Sequence, residues 1–307
     1  MTRHVATPVN FAGPTPRRDE RVDVNGIGTH FVEVGPPDGP ALLFVHGAFS
    51  STAGWADLLP HLSGKFRSVA FDLISHGYTD RVLDRQRVTV DFIVDHLERF
   101  VAALALREFV LVGNSLGCMI ACVYAFREPA SLRGMVLLDG GLGTTPIPVK
   151  ALRGAPKLAA MPITKYLGDL VFPLVGKKMI RDWYDLCVHD PSIVTPERVE
   201  RNARPLRDIP KSIKALNVLL RALFEVAEPT NYYALKVDEK LPKVDVPVLV
   251  AWGEHDRVLP RWIGEEMVAL LPRARLEVLP DCGHLPQEEK PEATASLISR
   301  FVAEIGL

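Results

Sequence analysis

Eighteen consecutive uncharged residues, Phe109 to Phe126 (FVLVGNSLGCMIACVYAF), constrain this chain more than any other stretch. Their number lies at the lower limit for a membrane-spanning helix. Gly113, Asn114, Ser115 and Gly117 break the run, however, with a β-type segment before them and a helix-type segment after, ending at Arg127-Glu128-Pro129. That pattern predicts a strand, a tight turn and a buried helix. A strand this apolar needs cover on both faces, which points to an interior strand of a parallel sheet.

The rest of the chain supplies the other layers. Arg21 to Asn25 and Thr29 to Val34 alternate polar and apolar residues around Asn25-Gly26, a hairpin signal. Ala41 to Val45, Arg67 to Asp72, Met135 to Leu138, Val246 to Trp252 and Arg275 to Leu279 read as strands. Ile93, Leu97, Phe100, Val101 and Leu104 recur at helical spacing, as do Leu297, Ile298, Phe301, Val302 and Ile305. Strands alternating with helices predict an α/β fold, a mostly parallel sheet with helices on both faces, and the leading hairpin adds an antiparallel edge. Residues 141–236 break the alternation: they lean helical, carry many prolines, and include Tyr166, Phe172, Trp183, Tyr184, Phe224, Tyr232 and Tyr233. We expect a helical cap there, a core made of residues 21–140 and 237–307, and a flexible arm over residues 1–20. The N-terminus has no apolar stretch of the kind secretory signals carry, so a cytoplasmic protein is expected.

Composition narrows the function classes. Lys+Arg 36 against Asp+Glu 37 gives a net charge of -1, so no global field draws nucleic acid or an anionic membrane, and neither is expected as a partner. Cys118, Cys122, Cys187 and Cys282 form neither a disulfide framework nor a pair of zinc-type spacings, and read as small buried hydrophobes. A small-molecule substrate is the expected partner.

Gly113-Asn114-Ser115-Leu116-Gly117 matches G-x-S-x-G, with a strand before it and a helix after it. The sharp turn lifts a serine hydroxyl clear of the sheet, and glycines allow it without Cβ clashes. The helix that follows directs free N–H groups toward the place where an oxyanion forms.

With these residues the chain resembles the α/β-hydrolase superfamily, in its cap-bearing serine hydrolase and esterase branch. The resemblance extends from about Arg21 to the C-terminus. It rests on His46-Gly47-Ala48-Phe49, Gly113-Asn114-Ser115-Leu116-Gly117, Gly253-Glu254-His255-Asp256 and Gly283-His284, in that order. It implies Ser115 as nucleophile, Asp256 as acid and His284 as base. The residues support these roles separately. A serine needs a base to take its proton, and of nine histidines His284 lies in a loop after the last strand, beside Gly283. The base needs a carboxylate to orient it. Asp256, four residues beyond Trp252, is preferred, with Asp139 directly after the Met135–Leu138 strand as the alternative acid. The N–H of Leu116 is one expected oxyanion donor and that of Ala48 the other, with Phe49 next in line or else a wall of the pocket. His46 reads as a structural hydrogen-bonder. Asp72 to Gly77 resembles the family's D-x-x-G-x-G turn, with Ile74 and Ser75 in place of Pro-Gly, and reads as scaffold.

The expected reaction is ester hydrolysis through an acyl-enzyme, carboxylesterase-like (EC 3.1.1), on a hydrophobic, medium-sized substrate, with no metal, nucleotide or organic cofactor. Serine at the elbow excludes the relatives that use aspartate there, the haloalkane dehalogenases and epoxide hydrolases. Carbon–carbon hydrolases of ring-cleavage diketones keep the serine and have Asn before it, as Asn114 is here. They carry a glycine-rich loop where this chain has Ala48-Phe49-Ser50-Ser51, and Trp where it has Leu285, so they form the alternative. A non-catalytic ligand receptor on the same scaffold is the alternative from another class.

Overall fold

The computed structural model describes residues 17–127, 129–142, 176–227 and 233–307. Their strands are β1 (Arg17–Val24), β2 (Ile27–Val34), β3 (Ala41–Val45), β4 (Arg67–Phe71), β5 (Phe109–Asn114), β6 (Leu132–Leu138), β7 (Val248–Gly253) and β8 (Ala274–Leu279). They form one sheet of eight strands in the order β1-β2-β4-β3-β5-β6-β7-β8. β1 and β2 pair antiparallel, as do β2 and β4, and the pairs from β4 through to β8 are parallel. The expected α/β fold with an antiparallel edge is therefore observed. Asn25 (φ 55°) and Gly26 (φ 81°) close the hairpin in the left-handed backbone that a tight two-residue turn requires.

The interior strands have residues of both parities buried, because each face has its own cover. Leu43, Val45, Phe109 and Leu111 join one apolar cluster with Ile93, Leu97 and Phe100 of α2 (Val90–Ala103) and Ile120 and Val123 of α3 (Leu116–Ala125). Leu42, Phe44, Val110 and Val112 point the other way, against Trp55, Leu59 of α1 (Leu59–Leu62), Ile298 and Phe301. Thr89 caps α2 by accepting from the Phe92 N–H. The uncharged segment from Phe109 splits as expected into β5 and α3, and among the described residues no helix is long and apolar enough to cross a membrane.

β1 starts at Arg17, so Arg17 to Glu20 pair with β2 rather than belonging to a loose arm, and the arm expected over residues 1–20 is shortened at its end. The reason lies in packing: Asp19 is buried and bonded to His30 Nε2 at 2.6 Å, a partner the linear sequence does not show. Residues 1–16 lie outside the described residues. Between β6 and β7 come α4 (residues 176–187), α5 (Pro196–Asp208) and α6 (Ser212–Ala227). Tyr166, Phe172 and Tyr232 lie outside the described residues, as does the side chain of Phe224. Asp57 of the core holds Arg198 (2.8 Å) and Arg201 (2.9 Å) of α5, and Arg81 reaches Ser212 at the start of α6 (2.8 Å). All four cysteines are free and buried.

Candidate active site

Ser115 stands at the junction of β5 and α3 with φ 53° and ψ -114°, a conformation that serine rarely adopts. Its N–H donates to Leu138 O at 3.0 Å, which anchors the turn to β6. Close packing makes the turn possible. A Cβ on Gly117 would lie 2.0 Å from Val45 O, and one on Gly113 would lie 2.7 Å from the backbone of Gly117. The glycines of the motif are thus required by contact between the elbow and its neighbours. Leu116 is the first residue of α3, so its N–H has no acceptor within the helix.

His284 is buried in the loop after β8, and Asp256 lies in the loop after β7. His284 Nδ1 is 2.8 Å from Asp256 Oδ2, and the other oxygen of Asp256 accepts from the N–H groups of Val258 (2.7 Å) and Leu259 (3.0 Å). A carboxylate fixed in this way keeps the imidazole proton on Nδ1 and leaves a lone pair on Nε2. His284 Nε2 is buried and has no hydrogen-bond partner among the described residues. His284 N donates to Cys187 O (2.7 Å), and Asn114 Nδ2 donates to His284 O (3.2 Å), so both the inserted helix and the elbow position the ring.

Asp139, the alternative acid, is fully buried at φ 49°. Its Oδ1 accepts from Gly253 N at 2.7 Å, and its carboxyl lies in the same small cluster as Asp256 and His284. Burial, and then the charge of Asp256, push its pKa well above the usual carboxylate range. Its Oδ2 is buried and has no hydrogen-bond partner among the described residues.

Ser115 and His284 line one cleft together with Gly47, Ala48, Phe49, Ile180, Trp183, Tyr184, Asn202, Leu285 and Glu288. Ala48 and Phe49 line the same cleft as Ser115. Phe49 adopts φ 62° and packs its ring against Trp183 at 5.1 Å between centroids. The loop is held from below. His46 Nδ1 donates to Gly47 O (2.7 Å) while Nε2 accepts from Leu73 N (3.1 Å), so the ring is neutral and structural; burial keeps its pKa low. Asp72 accepts from Thr52 N (2.6 Å) and Tyr78 N (2.8 Å) and pairs with His30 Nδ1 (2.6 Å). Burial opposes its charge, but His30 outweighs burial and holds the carboxyl well below the usual range. Ser75 takes φ 66°, so the turn keeps a left-handed backbone where the family pattern has glycine.

The cleft is less apolar than expected. Tyr184 donates to Glu288 Oε2 (2.8 Å), Asn202 Nδ2 donates to Tyr184 Oη (2.7 Å), and Arg198 Nε lies 3.7 Å from Glu288. Burial pushes Glu288 up to about 7, against the pull of Arg201 and Arg198. Sequence reasoning missed Glu288 and Asn202. They sit in helical segments far apart in the chain, and no local motif marks either one. Their only signal was four-residue spacing from His284 to Glu288, which many surface helices share.

A serine at a strand-to-helix elbow, opening on a cleft it shares with a carboxylate-bound histidine at the strand ends of a mostly parallel sheet, defines the class of α/β hydrolases. The chain belongs to the alpha/beta hydrolase fold family, whose profile matches residues 40–291, and it is a hydrolase. It is 27% identical to the uncharacterized hydrolase YugF of Bacillus subtilis strain 168, over 92% of this chain and 97% of that protein. It is 28% identical to the 2-hydroxy-6-oxo-6-phenylhexa-2,4-dienoate hydrolase of Burkholderia cepacia, over 86% of this chain and 88% of that protein. Among solved structures, carboxylesterase CesB (YbfK) of Bacillus subtilis superposes with a TM-score of 0.74 at 20% identity, covering 94% of this chain and 92% of that one, a likeness of fold.

Proposed function

We propose that the chain is a serine hydrolase that cleaves a carboxylic ester through an acyl-enzyme, with Ser115 as nucleophile, His284 as base and Asp256 as the orienting acid. The observation that carries this reading is the 2.8 Å contact from Asp256 to His284 Nδ1, with Nε2 unpartnered and lining the same cleft as Ser115. Ser115 Oγ attacks the carbonyl carbon as Nε2 takes its proton. The N–H groups of Leu116 and Ala48 hold the oxygen that becomes negative, which is worth a factor of roughly 10² to 10³ per donor. The imidazolium then protonates the departing alkoxide, and water repeats the sequence on the acyl-enzyme to release the acid. α4 and α5 serve as a cap over this cleft and bring Ile180, Trp183, Tyr184 and Asn202 to its lining. Phe49, Trp183 and Leu285 form its apolar wall, and Glu288 with Tyr184 and Asn202 forms a polar corner for a hydrogen-bonding group on a medium-sized substrate.

Carbon–carbon hydrolysis of a ring-cleavage diketone is the second reading, and the curated relatives named for that reaction favour it with equal weight. Ser115, His284 and Asp256 keep their places in both. Labelling with a fluorophosphonate tests the shared part: modification of Ser115, absent in Ser115→Ala, is expected. A folded protein that takes no label is instead the non-catalytic receptor. Turnover of p-nitrophenyl esters beside a vinylogous diketone separates the two reactions, and a strong preference for the diketone reverses the ester assignment.

A further inference from the structure

Among the described residues outside the cleft, one cluster of metal-ligating side chains joins the insertion to the core. His189 follows α4, His255 follows β7, and Asp281 follows β8. The rings of His189 and His255 stack at 4.0 Å between centroids and 21° between planes. One ligand atom from each of the three side chains lies within 4.8 Å of the other two, and all three residues are exposed.

We propose that His189, His255 and Asp281 bind one divalent transition-metal ion of the zinc type, closing a clamp between the inserted helices and the two loops beneath them. Zinc bonds of roughly 2.0–2.2 Å in tetrahedral geometry place ligand atoms about 3.3 Å apart. Rotation of exposed side chains covers the remaining distance. Two imidazoles and one carboxylate suit zinc, copper or nickel, and do not suit magnesium or calcium, which take sets of oxygens.

The backbone frame is already built. His255 N donates to Cys282 O (2.8 Å), Asp281 N to Glu254 Oε2 (3.3 Å), and His189 N to Glu289 Oε2 (2.7 Å). Asp281 adopts φ 48°, in the left-handed region. Glu254 Oε2 lies 3.8 Å from His255 Nε2. Each of the three ligands neighbours the candidate active site along the chain. His255 precedes Asp256, Asp281 comes three residues before His284, and His189 lies two after Cys187, whose carbonyl accepts from His284 N at 2.7 Å. A bound ion would thus fasten the insertion to both loops that carry the imidazole and its carboxylate, without entering the cleft.

The test is calorimetric titration of the untagged, chelator-stripped full chain with zinc chloride, with magnesium and calcium chlorides as controls. One equivalent of zinc is expected to bind, magnesium and calcium not at all, and the zinc affinity should fall by more than about tenfold in His189→Ala and in Asp281→Asn. Zinc should also raise the melting temperature of the parent protein but not of these variants. Circular dichroism without metal shows whether each variant is folded; if neither is, the visible absorption of Co2+ added to the parent protein reports the coordination directly, and a spectrum of aqueous Co2+ overturns the site. Zinc binding that survives both substitutions overturns it too, as does the absence of saturable binding in the parent. None of these readouts depends on turnover, so the outcome stands apart from the fate of the proposed reaction.

Discussion

Asp139 directly follows β6 and Asp256 lies in the loop after the neighbouring β7, so their carboxyl groups reach the same buried spot, yet Asp256 bonds to His284. Asp139 instead accepts from Gly253 N at 2.7 Å, and its charge is suppressed by burial and by Asp256 beside it. Two carboxylates this close cannot both ionise cheaply, and Asp256 is the one fixed by two backbone N–H groups, those of Val258 and Leu259.

The pair gives the first prediction. Asp256→Asn should lower kcat by about 10³ to 10⁴, because an amide no longer orients the imidazole. Asp139→Asn keeps an acceptor for Gly253 N and a donor on the other atom, so turnover should stay within about tenfold. Steady-state kinetics on whichever ester or diketone is turned over checks both. Loss confined to Asp139→Asn would assign the acid to the other strand.

Gly117→Ala tests the elbow. The added methyl would lie 2.0 Å from Val45 O, backbone against backbone, with no flexible side chain to yield. Denaturant unfolding should show a loss on the order of 3 kcal/mol or more, or no cooperative transition at all.

His30 lies between Asp19 and Asp72, each at 2.6 Å. Burial works against its charge, but the two carboxylates raise its pKa from 6.5 to about 9. The folded state therefore holds a proton that the unfolded chain releases at lower pH. This contribution is fully present below about pH 6.5 and is lost as pH rises through 9. Stability measured from pH 6 to 10 should fall by up to about 3 kcal/mol on this account, and His30→Gln should flatten the decline. Equal slopes in both proteins would remove the histidine as its cause.

Glu288 gives a second, separable pH dependence. Its pKa rises from 4.5 to about 7, chiefly through burial, so the folded state again favours the protonated form. Stability from this group is present below about pH 4.5 and lost as pH rises through 7. Relative to the parent protein, Glu288→Gln should gain roughly 1–3 kcal/mol between pH 5 and pH 8. Unfolding midpoints at the two pH values decide it, and no relative gain would mean that Arg198 and Arg201 already neutralise the carboxylate.

Much of the fold was legible because its signals are local. Five apolar residues at Ala41 to Val45, the broken run from Phe109, and the helical spacing from Ile93 to Val101 each report burial within a few residues, and the sheet and its flanking helices follow. The G-x-S-x-G elbow is legible for the same reason, since strand, turn and helix are contiguous. Tertiary packing decided what the chain brings together from afar. It chose Asp256 over Asp139 for His284, drew Arg17 to Glu20 into β1 through the buried Asp19–His30 bond, and set Glu288 with Tyr184 in a cleft expected to be apolar. Periodicity records which side of an element faces the core, whereas hydrogen bonds between distant segments depend on distances that exist only after the layers have packed.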